Sequence, residues 1–510
     1  MSAVVDQRVA ALPLLADARA ERAFAWRGNQ PISVGRFLAD VRAAAAALPA
    51  ASHAVNLCED RYSFLVGFCA VASRGQTNLL PPSRARQAIE EAMAGHPGSY
   101  ALGDSDCSGV CANFHALRFV DSETQGDDPG PVLYGDQTVA IGFTSGSTGR
   151  PKANPKSWSS VVASSLHNAR TLTEALALEP GALAHIVATV PPQHMYGLEL
   201  SVLLPLLGPF AVHGGKPFFP ADVAAALADV PAPRILVTTP IHLQALLRDP
   251  VELPPLGAIT SATAPLSREL AAEAEARYGA PVVELFGSTE TCVIAHRRTS
   301  QESAWHLYPD LVLRPQPDGT LVDAPYFEQP VALQDVVELL PDHAFHLCGR
   351  NADLVEIAGK RASLADLTQR LLALPGVRDA VALQLDEPDG SGVRRIAALV
   401  VAPSCSEAAL LDDLRHAVDP VFLPRPLRRV DALPRNETGK LVRSALLAML
   451  RGTSRILGFA DTLRLRAGES ARAFFGSRKR KSPEGQGEPS GPVENRSGEG
   501  PEFLGLHSGR

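Results

Sequence analysis

The stretch Phe143–Lys152 reads F-T-S-G-S-T-G-R-P-K and decides how the fold of the whole chain is interpreted. It follows Thr138–Phe143, a short apolar run whose composition predicts a β-strand. Its glycines free backbone N–H groups to approach an anion, while its hydroxyls and lysine add donors. The candidate donors are Thr144, Ser145, Gly146, Ser147, Thr148, Gly149 and Lys152. The stretch therefore predicts a phosphate-binding loop at a strand end.

This loop differs from the common nucleotide-binding loop. The pattern of Gly, four residues and then Gly-Lys-Ser/Thr does not occur in the sequence, which argues against a P-loop phosphotransferase. Loops rich in serine and glycine are also common as exposed connections that bind no ligand. Composition alone leaves both interpretations open, and the other motifs of the chain must distinguish them.

The bulk composition is that of an ordinary soluble protein. The 510 residues are 45% hydrophobic and 20% charged, with a net charge of −7 that is not typical of nucleic-acid binding. Among the seven cysteines only Cys107 and Cys111 form a close pair, and no second pair completes a zinc pattern, so we expect reduced thiols. The first residues lack the features of a signal peptide, and the Ala-rich stretch 42–51 is too short to span a bilayer. We therefore expect a cytoplasmic protein without an integral membrane segment.

Strand and helix patterns alternate from Thr138 to Phe286. Such alternation predicts an α/β fold with a substantial parallel sheet. In parallel sheets, ligands bind beyond the carboxyl ends of the strands. The loops that follow Thr260 and Phe286 are therefore candidate sites.

The character of the sequence changes after about residue 350, where a compact β/α unit follows. We predict a large N-terminal α/β domain over 1–348 and a small domain over 349–450. An extension over 451–510 is rich in Gly, Glu, Pro and Ser, which indicates disorder from about residue 476.

Five further stretches place polar residues beside predicted strands or turns. They are Pro191–Gly197, Thr260–Pro265, Leu285–Glu290, Asp335 with Gly349-Arg350, and Leu433–Lys440. Each has a structural alternative. A lone histidine is more often a hydrogen-bonding structural residue, a strand-to-helix connection needs only a cap, and an aspartate with an arginine can form a surface salt bridge.

In this order, the loop and these stretches resemble the motifs of the adenylate-forming superfamily, which includes acyl-CoA synthetases, aryl-acid ligases and peptide-synthetase adenylation domains. The resemblance implies a large adenylation domain and a small mobile α+β domain. It also implies that ATP and Mg²⁺ activate a small carboxylic acid to acyl-AMP with release of pyrophosphate. The acyl group would then pass to a thiol, either coenzyme A or the phosphopantetheine of an acyl carrier protein.

The resemblance assigns catalytic roles to four positions. Lys440 would bridge the substrate carboxylate and the α-phosphate, and Thr289 would donate to phosphate. Glu290 would be the Mg²⁺ ligand, because a carboxylate beside phosphates is repulsive unless a hard cation lies between them. His194 would line the carboxylate pocket.

The resemblance also assigns nucleotide and substrate contacts. Phe286 would stack on the adenine, and Asp335 with Arg350 would bind the ribose. The pocket for the acid would be lined by His194, Ala262, Thr263 and Gly287.

The chain departs from the family pattern at some positions. Gln334 precedes Asp335 where the family more often has glycine, and Ala352 stands where the hinge usually carries Asp or Lys. The unusual hinge leaves room for a non-catalytic nucleotide-binding scaffold. The runs 193–197, 239–243 and 261–265 look like stand-alone ligases of aryl-polyene-type pigment pathways, which implies an aryl acid such as a hydroxybenzoate. A medium-chain fatty acid is the alternative substrate.

Overall fold

Two large β-sheets carry most of the chain. The computed structural model describes residues 10–105, 113–119, 129–145, 151–317, 319–350, 354–357, 360–388, 394–436 and 439–451. All of these residues fall within one compact unit. The predicted division into two domains at residue 349 stays a prediction.

The helices and strands have the following bounds. The helices are α1 Val34–Ala47, α2 Arg61–Ser73, α3 Arg86–Ala94, α4 Trp158–Ala175, α5 Met195–Leu198, α6 Leu204–Leu207, α7 Pro220–Ala228, α8 Pro240–Arg248, α9 Arg268–Tyr278, α10 Leu364–Leu372, α11 Glu407–Arg415 and α12 Arg443–Leu450, with a π-helical turn at Glu199–Leu203 and a 3₁₀ turn at Pro420–Phe422. The strands are β1 Ala11–Pro13, β2 Ala23–Arg27, β3 Gln30–Ser33, β4 His53–Asn56, β5 Thr77–Leu80, β6 Tyr100–Gly103, β7 Phe114–Ala116, β8 Val132–Tyr134, β9 Thr138–Ser145, β10 Pro151–Ser157, β11 Ala184–Ala188, β12 Phe210–His213, β13 Arg234–Thr238, β14 Ala258–Ser261, β15 Val282–Ser288, β16 Cys292–Arg297, β17 Trp305–Leu307, β18 Val312–Gln316, β19 Gly319–Asp323, β20 Val331–Leu333, β21 Asp335–Leu340, β22 Ala344–Arg350, β23 Leu354–Ile357, β24 Lys360–Ser363, β25 Asp379–Gln384, β26 Ile396–Val401 and β27 Leu427–Arg429.

Several helices begin where a side chain caps the first turn. Ser157 accepts a hydrogen bond from the backbone of Ser160 at the start of α4, and Asp60 does the same for Ser63 at the start of α2. Serines also cap α1, α9, α10 and α11. A capping oxygen satisfies a backbone donor that the helix leaves unpaired, so these residues fix where the helices start.

The larger sheet has eleven strands in the order β21-β22-β17-β16-β15-β14-β13-β11-β12-β2-β3. Its centre, from β15 through β14, β13, β11 and β12 to β2, is parallel. This confirms the predicted α/β fold with substantial parallel sheet. The central strands are almost wholly buried, as the continuous apolar runs that predicted them require.

The second sheet has six strands in the order β10-β9-β5-β4-β6-β7. Strand β10 runs antiparallel to β9, with Lys152 opposite Thr144 and Asn154 opposite Gly142. The composition of Pro151–Ser157, with two prolines and two lysines, does not predict a strand. It forms one because β10 is the edge of the sheet, where a proline that cannot donate is tolerated.

The C-terminal part of the chain builds hydrophobic clusters of its own. One joins α10 and α11 to β25–β27, and a second packs α12 against β26. Every member of both clusters lies between residues 355 and 450. A self-contained core is what a separate small domain would need.

Among the residues that the structure describes, no helix is long and apolar enough to cross a membrane.

A buried arginine fixes the carboxyl end of β11. The guanidinium of Arg61 donates to the carbonyl oxygens of Ala188 at 2.9 Å and Val190 at 2.8 Å, and also to the hydroxyl of Ser201. Burial lowers the pKa of Arg61 to about 10, so the group stays charged near neutral pH. Arg61 therefore anchors the strand end from which the stretch Pro191–Gly197 departs.

We expect Arg61→Met to lower the free energy of unfolding in urea by about 2 kcal/mol or more, because two buried carbonyl groups lose their donors. The exposed Arg86, which pairs with Glu90 on the surface of α3, is the matched control. Arg86→Met should leave the free energy of unfolding close to that of the wild type, because exposed ion pairs contribute little. Equal losses in the two variants would contradict the anchoring role of Arg61.

Candidate functional site

The end of the predicted phosphate loop lies beside Glu290. The hydroxyl of Thr144 donates to a carboxylate oxygen of Glu290 at 3.3 Å, and the amide of Asn154 donates to the Thr144 hydroxyl at 3.2 Å. Lys152 is exposed on β10. The loop residues Gly146, Ser147, Thr148 and Gly149 and the side chain of Ser145 lie outside the described residues, so their roles stay predictions.

Glu290 sits in a turn that a serine hydroxyl shapes. The Ser288 hydroxyl accepts hydrogen bonds from the backbone N–H groups of Glu290 at 3.1 Å and Thr291 at 3.2 Å. The sequence suggests a turn at Gly287, but Gly287 pairs with Val293 inside the ladder of β15 and β16. The strand continues through Ser288 because the serine supplies the turn's acceptor one residue later.

Gly142 lets the Thr289 turn approach β9 closely. A Cβ at Gly142 would stand 2.7 Å from Cγ2 of Thr289 and 3.6 Å from Cε of Met195. Both side chains therefore lie over the same point of β9. This close approach brings Thr289 and the stretch that contains His194 to the end of the phosphate loop.

The stretch around His194 also meets the carboxyl end of β14. His194 is the residue before α5, and the hydroxyl of the buried Tyr196 lies 2.8 Å from that of Thr260. Ala262 is buried just beyond β14, and Thr263 has a φ of 78°. A β-branched residue in the left-handed region is strained by about 1–3 kcal/mol, and such strain is concentrated at functional sites.

The ring of Phe286 packs at the edge of the core. Its centroid lies 5.3 Å from that of Trp305 and 6.0 Å from that of Phe345. Phe286 remains partly exposed. Its predicted stacking on adenine stays a prediction.

Asp335 and Arg350 are brought together by strand pairing. They stand opposite each other in the ladder of β21 and β22, and the hydroxyl of Thr320 donates to the main-chain oxygen of Asp335 at 2.7 Å. The side chain of Arg350 and the hinge residue Ala352 lie outside the described residues. The ribose site therefore stays a prediction, with its backbone positions adjacent.

Lys440 follows a tightly bonded turn. Asn436 accepts from the backbone N–H groups of Gly439 and Lys440 at 2.9 Å, through its carbonyl and its side chain. Arg435 donates to the carbonyl of Gly439 at 2.8 Å and forms a two-point ion pair with Asp379 at 2.8 and 2.9 Å. Residues of the C-terminal part itself therefore hold this turn in shape.

The same turn lies against the start of α8. Gly439 has a φ of 78°, and a Cβ there would stand 3.1 Å from Cγ2 of Ile241 and 3.8 Å from the hydroxyl of Thr239. Glycine is favoured on both counts. Lys440 is exposed next to this contact, so the structure brings the predicted adenylation lysine to the start of α8.

Comparison with known proteins identifies the family. The family model described as AMP-binding enzyme matches residues 103–312. A 4-coumarate–CoA ligase from Rhodobacter capsulatus is 31% identical over 305 residues, which cover 59% of this chain and 74% of that protein. The chain belongs to the AMP-binding enzyme family. It is accordingly an AMP-forming acid–thiol ligase, as the resemblance predicted.

A further relative in sequence and a solved structure of similar fold can be compared with this AMP-binding enzyme. A sulfoacetate–CoA ligase from Cupriavidus necator is 28% identical over 363 residues, covering 62% of this chain and 68% of that protein. The o-succinylbenzoate CoA synthetase from Bacillus subtilis, in complex with its acyl-adenylate, superposes with a TM-score of 0.70 at 18% identity. That superposition covers 86% of this chain and 98% of the other, and it confirms the fold.

The residues at the Glu290 turn fit a magnesium ion that binds together with phosphate. Glu290 supplies a hard, half-buried carboxylate, and Thr144 and Thr289 lie next to it. Mg²⁺ is usually held by one or two carboxylates together with substrate phosphates. Within the described ranges, no cluster of three or more His, Cys, Asp or Glu residues could hold a metal alone.

Three polar residues behind the site belong to none of the sequence motifs. Asn154 and Lys156 share the buried face of β10, and the ammonium of Lys156 donates to the main-chain oxygen of Glu290. Glu199 is buried in the π-helical turn that follows α5. The sequence contains one indication of this arrangement. Lys152, Asn154 and Lys156 are spaced two residues apart, which would place them on one face of a strand.

Glu199 is a buried carboxyl group with three donors around it. The backbone N–H of Val293 donates at 3.0 Å, the amide of Asn168 donates at 3.1 Å, and the hydroxyl of Ser164 donates as well. Burial outweighs these hydrogen bonds and raises the pKa of Glu199 to about 7. Burial therefore favours the protonated form of Glu199 over its carboxylate.

We expect the stability of the wild type relative to Glu199→Gln to depend on pH. Because the pKa of Glu199 is raised from 4.5 to about 7 by folding, its stabilising effect is complete below pH 4.5 and is lost as the pH rises through about 7. The difference in free energy of unfolding should fall by on the order of 3 kcal/mol across this window.

Urea titrations of both proteins at a series of pH values measure this difference. The exposed Glu174, which pairs with Arg170, gives the matched control Glu174→Gln, for which no such trend near pH 7 is expected. A difference between wild type and Glu199→Gln that is independent of pH would contradict the assignment.

Proposed function

We propose that this enzyme activates an aryl carboxylic acid with ATP and Mg²⁺ and transfers the acyl group to a thiol. One observation carries the proposal: Thr144, Thr289 and Glu290 converge at the end of β9, although they lie far apart in the sequence. The hydroxyls of Thr144 and Thr289 and the carboxylate of Glu290, beside a glycine-rich loop, suit a nucleoside triphosphate with its cation.

In the first half-reaction, a carboxylate oxygen of the acid attacks the α-phosphorus of ATP. The bond from the α-phosphorus to the bridging oxygen breaks, pyrophosphate leaves, and the acyl-adenylate remains. Held by Glu290, Mg²⁺ would neutralise charge on the phosphates. Thr144 and Thr289 would orient the phosphate chain, and Lys440 would offset the charge shared by the carboxylate and the α-phosphate.

In the second half-reaction, a thiolate attacks the acyl carbonyl and AMP leaves. The acceptor would be coenzyme A or the phosphopantetheine of an acyl carrier protein. The relatives named as CoA ligases favour coenzyme A. The contact of Gly439 with Ile241 supports Lys440 acting in the first half-reaction, because the turn already lies against the large part of the chain.

The substrate is proposed to be an aryl acid for two reasons. The relative from Rhodobacter capsulatus is named for 4-coumarate, which is an aryl acid. Tyr196, two residues after His194, and Ala262 and Thr263, just beyond β14, are uncharged, so they suit an aromatic ring better than the second anionic group of sulfoacetate. A medium-chain fatty acid is the alternative substrate, which uncharged side chains at these positions also allow.

We expect ATP–pyrophosphate exchange to be fastest with aryl acids. The panel would contain hydroxybenzoates, 4-coumarate, medium-chain fatty acids and sulfoacetate, each followed by coenzyme A or a carrier protein as acceptor. Preference for a fatty acid would overturn the aryl assignment alone. Exchange with none of these acids, or production of ADP, would contradict adenylation, and nucleotide binding without turnover would favour the scaffold.

We expect Lys440→Ala to lower exchange by about a hundredfold or more, since a charge that offsets the transition state is lost. Transfer of acyl from a preformed adenylate to the thiol should change by less than about threefold, because Lys440 would act only in the first half-reaction. Lys216→Ala, at an exposed lysine after β12, is the control. Equal losses in both half-reactions would contradict this role of Lys440.

A further inference from the structure

Lys156 is a charged side chain in an unusual place. It lies on the inner face of β10 and is 5% exposed, whereas lysines are almost never fully buried without a partner. Taking an ammonium group out of water is costly, so a buried lysine needs a strong acceptor. The acceptor of Lys156 therefore indicates why the residue is there.

That acceptor is the main-chain oxygen of Glu290. A hydrogen bond from a charged donor is about twice as strong as one between neutral groups. The hydrogen bond from Lys156 does not involve the Glu290 carboxylate, which accepts a hydrogen bond from Thr144. Lys156 thus holds the backbone of Glu290 and leaves its side chain for another partner.

Residue 290 is consequently held at three points. Its N–H donates to the Ser288 hydroxyl at 3.1 Å, its carbonyl accepts from Lys156, and its carboxylate accepts from Thr144 at 3.3 Å. The first contact lies within the turn itself, while the other two come from β9 and β10. Of these three contacts, only the one with Lys156 connects the main chain of the turn to the six-stranded sheet.

Glu199 lies close enough to Lys156 for the positive charge to act on it. Its pKa is raised mainly by burial, and the positive charge of Lys156 is one of the influences that lower it. The two groups share the interior behind the turn, where Glu199 also accepts from the backbone of Val293 on β16.

We propose that Lys156 is a positioning residue that fixes the Thr289–Glu290 turn, through the Glu290 carbonyl, for the binding of the magnesium–ATP complex. This inference rests on the proposed function, in which Glu290 carries the ion. A residue that orients a metal ligand typically changes metal affinity by about 10- to 100-fold when it is removed. A merely structural lysine would change stability but not the affinity for metal–nucleotide relative to that for the acid.

The test compares Lys156→Met with the wild type. Methionine keeps the apolar stem and removes the donor. We expect the Kd for Mn²⁺–ATP, measured by calorimetry without any acid, to rise about tenfold. The KM for MgATP in the exchange reaction should rise equally, with the KM for the acid changed less than about twofold. Lys216→Met is the matched control and should bind Mn²⁺–ATP as the wild type does.

A double-mutant cycle with Glu290→Gln shows whether Lys156 acts through Glu290. If it does, Lys156→Met should add little to the effect of Glu290→Gln, since residues in one network are not additive. Additive effects, an unchanged Kd in Lys156→Met, or no binding of Mn²⁺–ATP by the wild type would each overturn the inference. If Lys156→Met does not fold, Lys156→Gln takes its place with the same criteria.

The binding measurement separates this inference from the proposed function. A wild type that binds Mn²⁺–ATP but exchanges with no acid would contradict the proposed function. The loss of affinity in Lys156→Met would still support the positioning role. A wild type that exchanges normally while Lys156→Met binds as tightly would overturn the positioning role alone.

Discussion

The candidate site depends on the antiparallel pairing of β9 with β10. This pairing sets Asn154 opposite Gly142 and places Asn154 and Lys156 on one buried face. From that face, one side chain reaches Thr144 at the loop end and the other reaches the backbone of Glu290. A shift by one residue would turn both polar side chains outward, because successive residues of a strand point to opposite faces. The register of two strands thus determines where the carboxylate stands.

Three ionisable side chains in the interior bond to the main chain around this site. Arg61 bonds to two carbonyl groups at the end of β11, Lys156 bonds to a carbonyl in the Glu290 turn, and Glu199 accepts from the backbone of β16. Each of these side chains bonds to main-chain atoms at or near a strand end. Buried charges add little net stability, but removing one leaves a costly unpaired partner. Their effect is to hold irregular backbone in a single conformation where the ends of the two sheets meet.

The sequence predicted the parallel centre of the fold because its strands are continuous apolar runs. It did not predict the antiparallel strands between Cys292 and Arg350, whose residues are mixed and whose pairing depends on distant partners. The order of motifs identified the family, since the glycine-rich loop, the Thr289–Glu290 pair and Lys440 keep their sequence signature. Lys156 and Glu199 were missed because burial of a charge is decided by tertiary contacts, and neither lies in a recognisable motif. The structure does not cover Gly146–Gly149 or Ala352, so the predictions there remain as the sequence left them.

The turn that carries Lys440 is held in shape by residues of the C-terminal part of the chain. Arg435 and Asp379 brace it, Asn436 closes it, and the hydrophobic clusters beneath it draw only on residues after 354. Its shape is therefore a local property of the C-terminal part, and Gly439 lies against Ile241 at the start of α8. The segment 355–450, which contains every member of both clusters, is thus suited to grafting between relatives. A graft would carry the lysine on a preformed turn, and the recipient would need to supply only a matching surface at the start of α8.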